Sequence, residues 1–146
     1  MSIETLNFEW PSDLDEKKNL NIETNYGRLK VELFVQEAPI TCWQWTAQAQ
    51  QKSYKPIILG GNARYIEFSR HEPIFDIGER NMLPVERGSI VFDPKTSKIW
   101  LSMEEHPEDL GAFLVIGKVI QGQNILRQLR IQEQIKKISI SHTSIP

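Results

Sequence analysis

Asn25-Tyr26-Gly27-Arg28-Leu29-Lys30-Val31-Glu32-Leu33, followed three residues later by Glu37-Ala38-Pro39-Ile40-Thr41, changes its hydrophobic period at a proline, and that change decides the fold class. Upstream of it, Leu20, Ile22 and Thr24 alternate with Asn21 and Glu23, and Asn25-Tyr26-Gly27 supplies residues that tolerate a positive φ. Leu29, Val31 and Leu33 then share one face and Arg28, Lys30 and Glu32 the other, which predicts a hairpin with one wet side. Proline suits a first helical turn, where its missing N–H has no intrahelical partner to lose. From Pro39 to about Gln51, Ile40, Trp43 and Ala47 fall on one stripe and Cys42, Trp45 and Ala49 on another, a helical spacing. Trp43 and Trp45 cannot point the same way, so one is expected to plug a barrel end or sheet face and the other to sit at the rim.

Working outward, strands fit Pro56–Leu59 and Arg64–Phe68, joined by Gly60-Gly61-Asn62. After a loop from Ser69 to Pro84 they fit Ser89–Phe92 and Ile99–Met103, with turn chemistry at Asp93-Pro94-Lys95-Thr96. Ala112–Ile120 reads as a buried strand bent at Gly117, Gly122–Arg130 as a short helix presenting Ile125, Leu126 and Leu129, and Ile135, Ile138 and Ile140 as a closing strand. Many short strands with two helices argue for a mainly β barrel or sandwich capped by helices. Residues 1–20 are expected to be an extension holding a first strand, Ile3–Trp10, and a linker from Pro11 to Asn19; residues 21–146 form the barrel domain.

The chain has 146 residues, room for one domain with a real core. Hydrophobic residues at 40% and charged residues at 25% exclude a disordered tail or a collagen-like repeat. Seventeen basic against nineteen acidic residues leave a charge of −2, which offers no field to draw nucleic acid or an anionic membrane. A single cysteine, Cys42, rules out an intrachain disulfide and the Cys-based zinc patterns. Met1–Trp10 lacks a basic and then apolar leader, and the longest apolar run, Ala112–Ile116, is far short of the roughly 20 residues of a membrane span. The expectation is a cytoplasmic, soluble protein.

The opening stretch resembles the start of a cyclophilin, where a "G-x-I-x-I-E-L … A-P-x-T" segment feeds the first helix. Leu114-Val115-Ile116-Gly117-Lys118-Val119-Ile120-Gln121-Gly122 resembles that family's late "V-V-F-G-K-V-V-x-G" stretch, and Gly60-Gly61 and Gly88-Ser89-Ile90-Val91-Phe92 fall between them in the right order. The closer resemblance is to a bacterial branch of compact cyclophilin-like proteins of unknown function, through Ala38-Pro39-Ile40-Thr41-Cys42, Val85–Pro94 and Gly117–Gly122. The resemblance covers Ile22 to Ile140 and implies a closed eight-stranded barrel with two capping α-helices. It does not imply the activity.

Prolyl isomerisation means twisting an amide over a barrier of about 18–20 kcal/mol. In the family resembled, an arginine of an "F-H-R-V-I" strand stabilises the twisted state and an apolar groove holds the proline. Here that strand reads Lys55-Pro56-Ile57-Ile58-Leu59, so the arginine position falls on Ile57 or Ile58, and the family's glutamine has no counterpart in Arg64-Tyr65-Ile66-Glu67-Phe68. Trp100, in Ser97–Leu101, matches an aromatic lining the proline pocket, Phe113 matches a groove histidine, and Glu108 falls near a groove tryptophan. Arg64 shares parity with Ile66 and Phe68; it is expected either as an inward anchor for a ligand carboxylate or carbonyl, or as a hairpin-end arginine in solvent.

Glu104-Glu105-His106-Pro107-Glu108-Asp109 reads as a solvated acidic loop rather than a metal site, His71 and His142 as surface histidines, and Cys42 as a buried inert thiol. No cofactor or metal is called for. The leading expectation is a binding domain without prolyl isomerase chemistry, taking a small molecule or extended peptide through Trp100, Phe113 and Arg64. The alternatives are a weak peptidyl-prolyl isomerase and a homo-oligomer whose tryptophans form a self-interface.

Overall fold

The computed structural model describes residues 18–49, 58–61, 64–69, 72–129 and 137–142. The expected strand Ile3–Trp10, Ile57 and His71 lie outside them. The elements run β1 (Lys18–Thr24), β2 (Gly27–Leu33), α1 (Pro39–Ala49), β3 (Ile58–Gly61), β4 (Tyr65–Phe68), β5 (Ser89–Asp93), β6 (Lys98–Ser102), β7 (Leu114–Gln121) and β8 (Lys137–His142), with 3-10 turns at Pro107–Asp109 and Gln123–Gln128. β1 thus begins inside the stretch assigned to the extension.

All eight strands belong to one antiparallel sheet in the order β3-β4-β6-β5-β7-β2-β1-β8. The sheet curls into a half-barrel around its core, and among the described residues no ladder joins β3 to β8. Alternation explains the core: Leu29, Val31 and Leu33 of β2, Ile66 and Phe68 of β4, Ile99 and Leu101 of β6, and Ile90 and Phe92 of β5 all turn to one face and are buried. The β2–β7 and β5–β7 ladders each shift register once. Gly117 lets β7 lie close on β2, because a Cβ there would stand 2.8 Å from Glu32 O.

Helix α1 contributes Cys42 and Trp45 to this core. Trp45 is fully buried while Trp43 is 41% exposed, which assigns the plug and the rim as their spacing required. The first turn of α1 has no acidic residue of its own. Glu79 supplies the cap from the loop after β4: its carboxylate accepts from Ile40 N at 2.9 Å, Thr41 N at 2.7 Å and Thr41 Oγ1 at 2.7 Å. Cys42 is buried beneath the helix and its Sγ donates to Ile116 O at 3.3 Å.

Three local expectations are corrected. The second helix is a 3-10 helix, Gln123–Gln128, rather than α; it buries Ile125 and Leu126, and so short a segment closes its turns with i→i+3 bonds. Gly60-Gly61 is not a turn but part of β3, paired with Glu67 and Ile66, where the lack of side chains accommodates the register shift after Ile58. His142 is the last residue of β8, opposite Lys18, rather than part of a tail. Among the described residues no helix is long and apolar enough to cross a membrane.

Candidate functional site

The face of the sheet turned away from the main core carries a second, smaller apolar cluster. Register places Glu67, Trp100, Val91 and Val115 in one row across β4, β6, β5 and β7. Val91 and Val115 are buried together with Val85, and Phe34, Tyr65, Leu83, Trp100 and Phe113 pack on them half-buried. β5 is consequently buried on both faces along Ser89–Phe92, a run without alternation that marks a covered strand. The cover comes from the loop before β5. Asn81 donates through Nδ2 to Val115 O at 3.0 Å and accepts from Val115 N at 3.4 Å, serving the stretch of β7 that the β2 ladder does not reach.

Tyr65 is the hub. Its ring lies edge-on to Trp100 at 6.2 Å and to Phe113 at 5.6 Å, and it stacks on the His106 ring at 4.5 Å. Its hydroxyl donates to Asp109 Oδ2. Desolvation first, and then the bond to Asp109, push the Tyr65 pKa above the usual tyrosine range. Lys98 Nζ stands 5.7 Å over the Trp100 ring and 3.6 Å from Glu67 Oε1, giving the apolar surface a charged edge.

Trp100, Phe113 and Arg64 are therefore gathered around one residue, Tyr65, which sequence reasoning placed in a strand but did not single out. Arg64 is not on the inward face. It sits in the bend before β4, so strand parity does not govern it, and its side chain is 47% exposed. The guanidinium donates to Glu108 Oε1 and to His106 Nδ1, with Glu104 Oε1 at 3.8 Å, and it lies 6.0 Å from the Tyr65 ring centre.

His106 corrects the picture of a wholly solvated loop. It is buried, its backbone N–H donates to Val85 O at 2.9 Å, and its ring is held between Tyr65 and Arg64. With Arg64 donating to Nδ1, the ring proton belongs on Nε2, which faces Arg64 O at 3.5 Å. No sequence signal marks this histidine, since Tyr65 and Arg64, which hold its ring, lie in a distant stretch of the chain. Glu108 stays exposed, and the bond from its own backbone N–H first, then the neighbouring Arg64 guanidinium, lower its pKa.

His106, Glu108 and Asp109 bring ligand-type atoms within 4.8 Å of one another. The chemistry there does not fit a cation: the Arg64 guanidinium already bonds His106 and Glu108, and the Tyr65 hydroxyl takes Asp109. The arrangement has an aromatic, half-buried floor with two cations, Lys98 and Arg64, and several acceptors at its rim.

No protein-family profile and no curated protein sequence matches the chain. Solved structures do. A Cryptosporidium parvum cyclophilin-type peptidyl-prolyl cis-trans isomerase aligns with a TM-score of 0.62 at 20% identity, over 90% of this chain and 100% of that one. The same type of protein from that organism, crystallised in the presence of the dipeptide Ala-Pro, aligns with a TM-score of 0.60 at 21% identity, over 87% of this chain and 99% of that one. The resemblance carried by the β2–α1 and β7 motifs is thus matched in three dimensions: the chain has a cyclophilin-like fold.

Proposed function

We propose that the chain is a cyclophilin-like binding domain that takes an extended peptide, or a small molecule with an apolar ring, over Tyr65, Trp100 and Phe113 without prolyl isomerase chemistry. The observation that carries this reading is the second apolar cluster, on the sheet face away from the core, with three aromatic side chains half-open to solvent around it. A proline or aromatic ring buries well against such a floor, and the Ala-Pro dipeptide present with a structural neighbour favours a peptide as occupant. Arg64 serves at the rim. Its ion pairs are exposed and worth only about 0–1 kcal/mol each, so a ligand carbonyl or carboxylate can replace them at small cost.

The reading without isomerase chemistry is supported by the strand Lys55-Pro56-Ile57-Ile58-Leu59, where the arginine position of the resembled family falls on Ile57 or Ile58, neither of which can donate. A twisting prolyl amide gains a lone pair on nitrogen and is stabilised by a donor aimed at it. Lys98 is paired with Glu67, and Arg64 with Glu104, Glu108 and His106. The second reading, a weak isomerase, draws on the activity of the structural neighbours and on Arg64 turning into the groove.

Titration of the isotopically labelled protein with a short Ala-Pro-containing peptide, followed by amide shifts, tests the binding claim. Saturable shifts at Tyr65–Phe68, Lys98–Ser102 and Phe113 are expected, and Trp100→Ala should weaken binding about tenfold or more. Equal affinity in Trp100→Ala, or shifts confined to other surfaces, would remove the groove from the account.

A further inference from the structure

Away from the groove, a cleft of about 310 Å³ is lined by Arg87, Gln123, Asn124 and Arg127. Two guanidinium groups and two carboxamides line it, with no acidic side chain among them. The nearest acid in sequence, Glu86, is bonded to Lys118. Arg127 is exposed and enters no ion pair among the described residues. Arg87 is only loosely held: its Nη2 reaches Gln123 O at 3.4 Å, while its Nε is buried and has no acceptor among the described residues. A buried donor without an acceptor is costly, and natural proteins leave few of them.

The backbone around the cleft is fixed. Gly88, next to Arg87, donates to Ser102 O at 2.8 Å and accepts from Val119 N at 2.8 Å. Gly122 opens the 3-10 helix with φ +90°, and a Cβ there would stand 2.5 Å from Arg28 O, so glycine is required where the chain turns to present Gln123, Asn124 and Arg127. Two arginines are thereby held beside one concavity, although like charges repel.

We infer that this cleft is an anion site for a phosphate monoester, with the phosphoryl oxygens taken by Arg87 and Arg127 and by the amide groups of Gln123 and Asn124. Guanidinium forks match the geometry of a tetrahedral oxyanion, and a dianion suits two of them better than a carboxylate does. The volume exceeds that of a phosphoryl group alone, which leaves room for a small organic substituent.

The test is calorimetric and amide-shift titration with inorganic phosphate, methyl phosphate and acetate at matched ionic strength. Phosphate and methyl phosphate are expected to saturate and to shift the amides of Arg87, Gln123, Asn124 and Arg127, with acetate binding at least tenfold more weakly. Arg127→Ala removes an exposed side chain, and Arg87→Lys keeps the charge but loses the fork. Each should weaken phosphate about tenfold, whereas Arg28→Ala, at an exposed arginine paired with Glu23, should not. Absence of saturable phosphate binding, equal affinity for acetate, or equal losses in Arg28→Ala would overturn the assignment.

Discussion

Replacing Tyr65 by phenylalanine removes one hydroxyl and leaves the ring that touches Trp100, Phe113 and His106. The hydroxyl donates to the Asp109 carboxylate, tying β4 to the 3-10 turn at Pro107–Asp109 that precedes Phe113. A hydrogen bond to a charged group is worth about 1.5–3 kcal/mol when desolvated. Tyr65 and Asp109 are only half-buried, and screening brings the expected coupling to about 1 kcal/mol. Urea unfolding of the parent, Tyr65→Phe, Asp109→Ala and the double variant isolates the pair term. Each single change should cost about 1 kcal/mol, and the double little more than either. Additivity within about 0.3 kcal/mol would refute the claim that this bond holds the groove wall. The pH dependence has a definite sign. Tyr65 ionises above the ordinary tyrosine value of about 10, so its contribution is complete below that pH and fades as pH rises beyond it. Tyr65→Phe should flatten that alkaline loss.

Other outcomes follow from the same structure. Glu79→Ala removes both the acceptor and the negative charge at the start of α1 and should cost about 2 kcal/mol, read as a fall in Tm of about 6 °C; an unchanged Tm would mean that α1 is capped another way. Asp76 is held at a pKa of about 2 by its hydrogen bonds from the Arg80 guanidinium and Gly78 N–H. Its stabilising contribution is therefore present above the ordinary value of 3.8 and lost as pH falls through about 2. Arg80→Ala should raise the carboxyl titration seen by NMR toward the ordinary value, and an unmoved midpoint would contradict the assignment. Burial pushes the Cys42 thiol far above its usual range, so a thiol reagent should react only after unfolding, and fast labelling of the native protein would place the side chain elsewhere.

Much of the frame is legible in the order of residues. Alternation at Leu29, Val31 and Leu33 and the change of period at Pro39 predict β2 and α1, and two tryptophans two positions apart must divide between core and rim. Trp100 and Phe113 could be selected because a resemblance assigned them to a groove. Long-range partners left no trace in the sequence. The cap of α1 comes from Glu79, 38 positions beyond Thr41, and the His106 ring is held by Arg64 across another 42 and by its neighbour Tyr65. Parity could not choose between the two expectations for Arg64, because alternation applies within a strand and Arg64 precedes β4. The spacing of Ile125, Leu126 and Leu129 fits a 3-10 turn as readily as an α-helix, and only hydrogen bonding tells them apart.

The central claim, a groove that binds without isomerising, is tested most directly by magnetisation exchange between the cis and trans forms of an Ala-Pro-containing peptide, with and without the protein. Uncatalysed exchange takes tens to hundreds of seconds, so even slight acceleration is visible. The account predicts binding that shifts the Tyr65, Trp100 and Phe113 resonances while the exchange rate stays at the uncatalysed value. Acceleration that Arg64→Ala or Trp100→Ala abolishes would contradict it and make the groove an active site.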